Sequence, residues 1–355
     1  MPQAAQFLPD KKTLEYERGV DLAVCQCTGC GLIQLDGDPV PYYREVIRAA
    51  AFSQEMQDYR LKQFTYFIQQ YSLTGKKVIE IGCGRGEYLA LIQQSGVDAY
   101  GLEYAPASVE YCVQNSLQVA CGFVGGCNQE LDHAPFAAFF SLNFLEHLPD
   151  PNTVLRGIYH NLVDDAVGLV EVPNFDMIIR SQLFSEFIND HLFYFTKKTL
   201  TTLLEINGFE IIECNETWHD YIISATVRKR QKIDLSNFYA CQKQLKQQFA
   251  DYFEQFKNKK VAVWGAGHQA LTILSLMNLV GKIKYVVDSA TFKQGKYTPA
   301  THIPIVSPDT LITDPVDAII IMAASYSDEV IKILQEKFAQ NICIFVLRDF
   351  KLKMI

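Results

Sequence analysis

The fold of this chain is decided by the stretch Val78-Ile-Glu-Ile-Gly-Cys-Gly-Arg-Gly-Glu87, which is followed by Gly101-Leu-Glu103. The apolar first half of the stretch predicts a buried parallel strand, because such strands are covered on both faces. Three alternating glycines then let the backbone turn tightly into a helical pattern over residues 88–94. This strand, glycine turn and helix are typical of a nucleotide-binding α/β sheet, in which the carboxylate of Glu103 can bind both hydroxyls of a ribose.

The charges around this turn indicate which nucleotide binds. Glu80 enters the loop and Glu87 leaves it, whereas the pyrophosphate of a dinucleotide needs a helix N-terminus that is free of negative charge. Two carboxylates suit S-adenosylmethionine (SAM), which has a ribose, no phosphate, and cationic ammonium and sulfonium centres. The pattern Glu80-x-Gly-x-Gly-x-Gly86 with Glu103 resembles the cofactor signature of class I SAM-dependent methyltransferases. The alternative is a Rossmann-like turn that is kept only for folding.

Residues at the ends of the predicted strands complete the expected cofactor site. The predicted SAM-binding residues are Glu80, Gly82, Cys83, Gly84, Gly86, Glu103, Tyr104, Asn143 and Phe144.

Composition limits the function classes that the chain can belong to. With 355 residues, of which 49% are hydrophobic, the chain can bury two or three cores. No apolar run approaches the ~20 residues of a membrane span, and residues 1–10 lack a signal-peptide pattern, so we expect a cytoplasmic protein with no membrane partner. The formal charge of -8 argues against binding of nucleic acid. The ten cysteines are expected to act as small apolar residues in a reducing compartment.

The order of strand-like and helix-like segments predicts an α/β protein with a doubly wound, class I methyltransferase-type sheet and a second Rossmann-like sheet. Two segments at the end of the first sheet, 209–213 and 222–227, are joined without a clear helix and predict a terminal antiparallel pair. The predicted parts are a Cys-knuckle segment (1–40), a SAM-binding domain with N-terminal helices (41–230), a connecting helix (231–258) and a C-terminal Rossmann-like domain (259–355).

The N-terminal cysteines form half of a zinc-site pattern. Cys25 precedes Cys27-x-x-Cys30, but four ligands are needed and no second pair lies nearby. Histidine does not complete the set locally, because the first one in the chain is His133. Zinc at Cys27 and Cys30 is therefore doubtful, and a metal-free knuckle or small hairpin is preferred.

The second glycine turn, Gly265-Ala-Gly267, is followed by Asp288 and by a polar cluster that includes Lys296 and His302. This unit either contacts a nucleotide or a nucleotide sugar, or is a degenerate Rossmann domain that packs beside the substrate cleft. Two other functions remain open from the residues alone. One is an NAD(P)-dependent oxidoreductase that uses this turn, and the other is a non-catalytic module that binds SAM or a metabolite.

Two histidines fall where a catalytic base should lie, after the fourth and fifth strands of the first sheet. His147 lies in Asn143-Phe-Leu-Glu-His147, and His191 follows Asp190. A histidine can accept a proton near neutral pH and return it, and Asp190 could help to orient the site. A framework role in hydrogen bonding is the alternative for each histidine.

These segments, in this order, resemble the three-part sugar C-methyltransferases over nearly the whole chain. That resemblance implies methylation of a carbon beside the 4-keto group of a nucleotide-linked deoxysugar, through an enolate. It also implies that His191 is the base and that His147 lines the substrate cleft, while Asp190 and Ile188 stand where the family has glutamate and tyrosine. We expect a monomer or homodimer. The predicted substrate contacts are Phe52, Tyr194, Lys296 and His302.

Overall fold

The computed structural model describes residues 1–2, 8–44, 52–338 and 342–355. The chain divides into two compact units, Met1–Lys232 and Ile233–Ile355. The apolar positions Val46, Ile47 and Ala50, which we expect in the N-terminal helices, lie outside the described residues. Within those residues, no helix combines the length and apolar character needed to cross a membrane.

The N-terminal segment contains a small hairpin that joins a strand from much later in the chain. β1 (Val24–Gln26) pairs antiparallel with β2 (Ile33–Leu35), and β2 pairs with β8 (Phe193–Tyr194). Cys27 and Cys30 lie in the turn of this hairpin, where the Cys27 carbonyl accepts a hydrogen bond from Gly31. The cysteine segment therefore forms a small hairpin, and the hairpin borders the segment that carries His191.

Among the described residues, the first unit is built around a seven-stranded sheet with the order β5-β4-β3-β6-β7-β10-β9. β3 to β7 run parallel, and β10 pairs antiparallel with both of its neighbours. The predicted class I methyltransferase sheet and its terminal antiparallel pair are both confirmed. The strands are β3 (Lys77–Ile81), β4 (Asp98–Glu103), β5 (Gln118–Cys121), β6 (Phe136–Leu142), β7 (Leu162–Pro173), β9 (Phe209–Thr217) and β10 (Ile222–Lys229).

Helices cover both faces of this sheet, because its strands alternate between two apolar cores. Val78, Ala138 and Phe140 face α1 and α2, whereas Ile79 and Phe139 belong to the core that α4 and α6 complete. The carboxyl ends of the parallel strands therefore open at one edge, where a ligand can bind. The helices are α1 (Gln54–Gln70), α2 (Glu87–Gln94), α3 (Pro106–Gln114), α4 (Pro151–His160), α5 (Phe175–Ser181) and α6 (Lys197–Ile206).

The second unit begins with α7 (Ser236–Gln255), the predicted connecting helix. Leu245, Phe249 and Tyr252 of α7 pack into the core of this unit. Its described strands form a six-stranded sheet with the order β13-β12-β11-β14-β15-β16, parallel except for β16. They are β11 (Val261–Trp264), β12 (Val286–Val287), β13 (Ile305–Val306), β14 (Ala318–Ile321), β15 (Cys343–Arg348) and β16 (Lys351–Met354), with helices α8 (His268–Leu276), α9 (Thr310–Thr313) and α10 (Ser327–Lys337).

Candidate active site

The glycine turn after β3 is shaped by both backbone angle and space. Gly82 has φ +69°, and a Cβ on it would lie 2.5 Å from the ring of Phe144. Gly86 has φ +77°, and a Cβ there would lie 2.4 Å from Leu117. A Cβ on Gly84 would meet nothing within 4 Å, so the loop is open to solvent at its middle glycine. A ligand can therefore lie against the backbone at this point.

Glu103 ends β4 beside this opening. Its Oε2 accepts a hydrogen bond from the Gly84 amide at 2.9 Å, and its Oε1 accepts one from the Ala105 amide at 2.9 Å. Burial raises the pKa of this carboxyl, which is only 6% exposed. Glu80 is buried in β3 below the loop. The carboxylate that we expect to bind ribose thus lies at the open part of the turn.

The other predicted cofactor residues lie around the same turn. Cys83 is buried with its sulfur against Gly101, and Tyr104 follows Glu103. Asn143 and Phe144 follow β6, and the side-chain oxygen of Asn143 has no hydrogen-bond partner among the described residues. A small cavity of about 10 Å³ lies between these elements. It is lined by Arg44, Ile81, Gly82, Leu102, Glu103, Tyr104, Gly122, Phe123, Val124 and Phe144.

His147 and His191 meet at the same edge of the sheet. Their rings lie 4.7 Å apart and nearly perpendicular. Nδ1 of His147 is 2.8 Å from the backbone carbonyl of Asp190. A carbonyl only accepts, so Nδ1 carries the proton and Nε2 of neutral His147 keeps a lone pair. Burial lowers the pKa of both histidines, that of His191 far below its usual value with His147 contributing, so both rings are neutral near pH 7.

Glu146, which was not among the site residues predicted from the sequence, is a third member of this cluster. The side chain is 1% exposed, and its Oε1 lies 3.9 Å from Nε2 of His147. Its Oε2 has no hydrogen-bond partner in the part of the chain that the structure describes. Burial raises the pKa of Glu146 to about 8. One potential ligand atom from each of Glu146, His147 and His191 lies within 4.8 Å of the others, a grouping that could hold a divalent cation.

Matches to known families agree with this geometry. A family model described as a methyltransferase domain matches residues 52–214, and a second, described as a C-methyltransferase C-terminal domain, matches residues 227–347. The chain is similar to the C-methyltransferase NovU of Streptomyces niveus, with 24% identity over 96% of this chain and 89% of NovU.

The chain carries a methyltransferase domain followed by a C-methyltransferase C-terminal domain. It is therefore a SAM-dependent methyltransferase, and this prediction is confirmed over the oxidoreductase and non-catalytic alternatives.

Two further similarities cover only parts of this C-methyltransferase. The ubiquinone biosynthesis O-methyltransferase of Methylococcus capsulatus is 31% identical over 25% of this chain and 40% of its own length. Among solved structures, a SAM-dependent methyltransferase from Clostridium acetobutylicum covers 53% of this chain and 96% of that chain, with a TM-score of 0.42 and 11% identity.

Asp190 and Tyr194 hold the segment around His191 in place. The Asp190 carboxylate is buried, and burial together with this carboxylate raises the pKa of the Tyr42 hydroxyl. The Tyr194 hydroxyl accepts from the Ile188 amide at 2.9 Å and donates to the Ile188 carbonyl at 3.1 Å. In the structure both side chains therefore fix the 188–194 segment, while the backbone carbonyl of Asp190 sets the tautomer of His147.

A buried ion pair that was not predicted from the sequence joins α1 to β7. Arg60 binds Glu171 with both side chains fully buried, and Nε2 of Gln63 donates to Glu171 at 2.6 Å. The Arg60 guanidinium also lies 4.7 Å from the ring centroid of Tyr88. Phe52, a predicted substrate contact, packs edge-on against Tyr88 with ring centroids 5.7 Å apart. These contacts hold α1 beside the glycine turn that follows β3.

In the second unit, the side chain of Asp288 binds its own loop. Its Oδ2 accepts from the Ala266 amide at 2.7 Å and from Lys293 at 3.0 Å, and its Oδ1 accepts from the Ala290 amide at 2.9 Å. The two amide bonds match those of Glu103, and the added ion pair with Lys293 favours a structural role for this carboxylate over ribose binding. Lys296 and His302 are exposed in this unit. Their contact with substrate stays a prediction.

Proposed function

We propose that this C-methyltransferase transfers the methyl group of SAM to a carbon beside a keto group, in a nucleotide-linked deoxysugar or a similar small molecule. The observation that carries the proposal is the pair of histidine rings, 4.7 Å apart, at the carboxyl edge of the sheet. Neutral His191 is only partly buried, so the lone pair of a ring nitrogen can reach the substrate that accepts the methyl group. His147 is buried. The relative NovU, a C-methyltransferase by name, supports carbon as the acceptor atom.

The residues around the glycine turn would hold the cofactor. Gly82, Gly84 and Gly86 present bare backbone, and Glu103 would exchange an amide contact for the ribose hydroxyls. Glu80 and Glu87 place negative charge near the cationic centres of the ligand. Bound SAM supplies an electrophilic methyl group on sulfur.

His191 would act as the general base. It removes a proton from the carbon beside the keto group, and the electrons of that C–H bond form an enolate. The enolate carbon would then receive the methyl group that bound SAM supplies, and the electron pair of the carbon–sulfur bond would stay on sulfur. His191 releases its proton to solvent afterwards. His147, held by the Asp190 carbonyl, would keep the base oriented.

The proposal is tested first without methyl transfer. A nucleotide-linked 4-keto-6-deoxysugar incubated with the protein and S-adenosylhomocysteine in D₂O should gain deuterium at the carbon beside the keto group. His191→Asn should abolish this exchange and lower turnover by a factor of about 100 or more, with cofactor affinity nearly unchanged. Glu103→Ala should instead lose cofactor binding in calorimetry. Absence of both exchange and methylation across a panel of keto-sugars would refute the acceptor class.

The partner that we propose is therefore a small nucleotide-linked sugar, not nucleic acid or membrane. The formal charge of -8 supports exclusion of nucleic acid. A monomer or homodimer acting in the cytoplasm fits this role, and light scattering on the purified protein measures the oligomeric state.

A further inference from the structure

We propose that Arg44 is a cofactor-binding residue, and that its guanidinium stacks on the adenine ring of SAM. No sequence motif marks this residue. It precedes α1 in the chain, far from the glycine turn in sequence, yet it lines the same small cavity as Gly82, Glu103 and Phe144.

The position of the guanidinium is set by aromatic rings. The Arg44 Cζ atom lies 4.7 Å from the ring centroid of Phe123 and 5.4 Å from that of Tyr104. Its Nε donates to the Tyr43 hydroxyl at 2.8 Å, and the Tyr43 ring lies edge-on to Phe123 with centroids 6.3 Å apart. A planar cation is thus held over aromatic faces at the mouth of the cavity.

The size of the cavity shows what this contact does. Its volume of about 10 Å³ is close to that of one water-sized probe and cannot hold a purine. Tyr104, Phe123 and Phe144 also line the cavity, and their rings are flat apolar surfaces of the kind that purines stack on. Glu103, at the same cavity, is the carboxylate that would bind the attached ribose. An adenine ring can therefore enter only if Arg44 shifts.

The chemistry of arginine favours a displacement of the Arg44 side chain in which the guanidinium stays stacked on a ring, now that of the purine. Arg44 is exposed, so moving its side chain costs no core packing. Its planar guanidinium stacks on π-systems, a property that the ammonium group of lysine lacks. Tyr43 anchors Arg44 at the rim through its hydroxyl. A small displacement places the guanidinium over the outer face of the purine and leaves the inner face on the aromatic wall.

The test measures cofactor binding and needs no methyl acceptor. Calorimetry compares S-adenosylhomocysteine binding by the full-length chain and by Arg44→Ala, Arg44→Lys and a control, Arg228→Ala. Arg228 is an exposed arginine on β10, where it is the cross-strand partner of Val167. Its replacement by alanine removes the same charge at a different place in the first unit. Arg44→Ala should weaken binding about five- to thirtyfold, the range given by ~1–2 kcal/mol of cation–π contact at ~1.4 kcal/mol per tenfold. The affinity of Arg44→Lys for S-adenosylhomocysteine should lie between those of the wild type and Arg44→Ala. The affinity of Arg228→Ala should equal that of the wild type.

A ligand comparison locates the effect on the purine. Adenosine binding should weaken in Arg44→Ala by the same factor as S-adenosylhomocysteine binding, since both carry the ring. Unchanged binding by Arg44→Ala would overturn the proposal, because Arg44 would then contribute nothing to ligand affinity. Tighter binding would also overturn it, because Arg44 would then only block the cavity. Equal losses in Arg44→Ala and Arg228→Ala would also overturn it, in favour of general electrostatics. A wild-type chain that bound neither ligand would refute the cofactor site itself, and the role of Arg44 with it.

Discussion

Replacing Glu146 by glutamine should stabilise the first unit, and the gain should grow with pH. Glutamine has nearly the same shape as a protonated glutamate but never ionises. In the folded chain, burial raises the pKa of Glu146 from its ordinary value of 4.5 to about 8. This carboxyl therefore lowers the free energy of unfolding of the wild type at every pH at which the unfolded chain has already released the proton.

The direction and size follow from linkage. Below about pH 4.5 both states hold the proton, and the two proteins should be equally stable. Between about pH 4.5 and pH 8 the folded chain binds one more proton than the unfolded chain, so wild-type stability falls as pH rises. A pKa unit is worth about 1.4 kcal/mol, which sets an upper limit near ~5 kcal/mol above pH 8. Water entry around the ionised carboxylate reduces this, and we expect about 2 to 5 kcal/mol.

The assay is urea unfolding followed by tryptophan fluorescence. The chain has two tryptophans, Trp218 in the first unit and Trp264 in the second. Introducing Trp264→Phe into both proteins leaves Trp218 to report on the unit that contains Glu146. Unfolding free energies are compared at several values from about pH 5 to about pH 9. Glu110→Gln, which removes an exposed carboxylate on α3, is the matched control.

Two results would refute this reasoning. A difference between Glu146→Gln and wild type that is the same at every pH would show that Glu146 does not change protonation in this range. Destabilisation that grows with pH would show that an ionised carboxylate is held by a partner, such as a cation bound with His147 and His191. Binding of S-adenosylhomocysteine to both proteins checks that the fold is intact.

The remaining predictions concern the turn, the ion pair and metal. Gly86→Ala should cost more than about 2 kcal/mol in thermal unfolding, whereas Gly84→Ala, with open space around it, should cost only about 1 kcal/mol for its positive φ. Arg60→Met should cost about 3 to 5 kcal/mol by leaving a buried carboxylate unpaired, and the double variant with Glu171→Leu should recover most of it in the same measurement. Chelation with EDTA should leave methyl transfer unchanged within about twofold, because the proposed base needs its lone pair free. Loss of activity that Zn²⁺ restores would contradict this.

The cofactor half of the site was predictable because its information is local. The turn glycines and Glu80 are neighbours in sequence, and Glu103 follows at the spacing of one strand–helix–strand unit. The apolar strands of the sheet centre also have a local signal, since each is a short buried run. β5 has no such signal, because it is a four-residue edge strand of partly and fully exposed residues.

The acceptor half depends on contacts between distant parts of the chain. Arg60 and Glu171 are 111 residues apart, and no local pattern pairs them, although a charged residue on the apolar face of α1 was a usable signal. Glu146 stood beside His147 in a quoted motif, but its enclosure follows from β6, β7 and the 188–194 segment packing together. Arg44 reaches Phe123 only because the fold brings two loops to one cavity. Sequence spacing carries none of these distances.

The pairing of β2 with β8 has a consequence for exchanging acceptor preference between relatives. The N-terminal hairpin supplies a neighbouring strand for the segment that begins just after His191, and the amide of Leu35 donates to the carbonyl of Leu192 at 2.9 Å. If residues 188–194 were grafted from another family member, the grafted strand would have to pair with the β2 of this chain, which differs from its own partner strand. Chimeras should therefore carry the hairpin and the histidine segment as one module, even though more than 150 residues of sequence separate them.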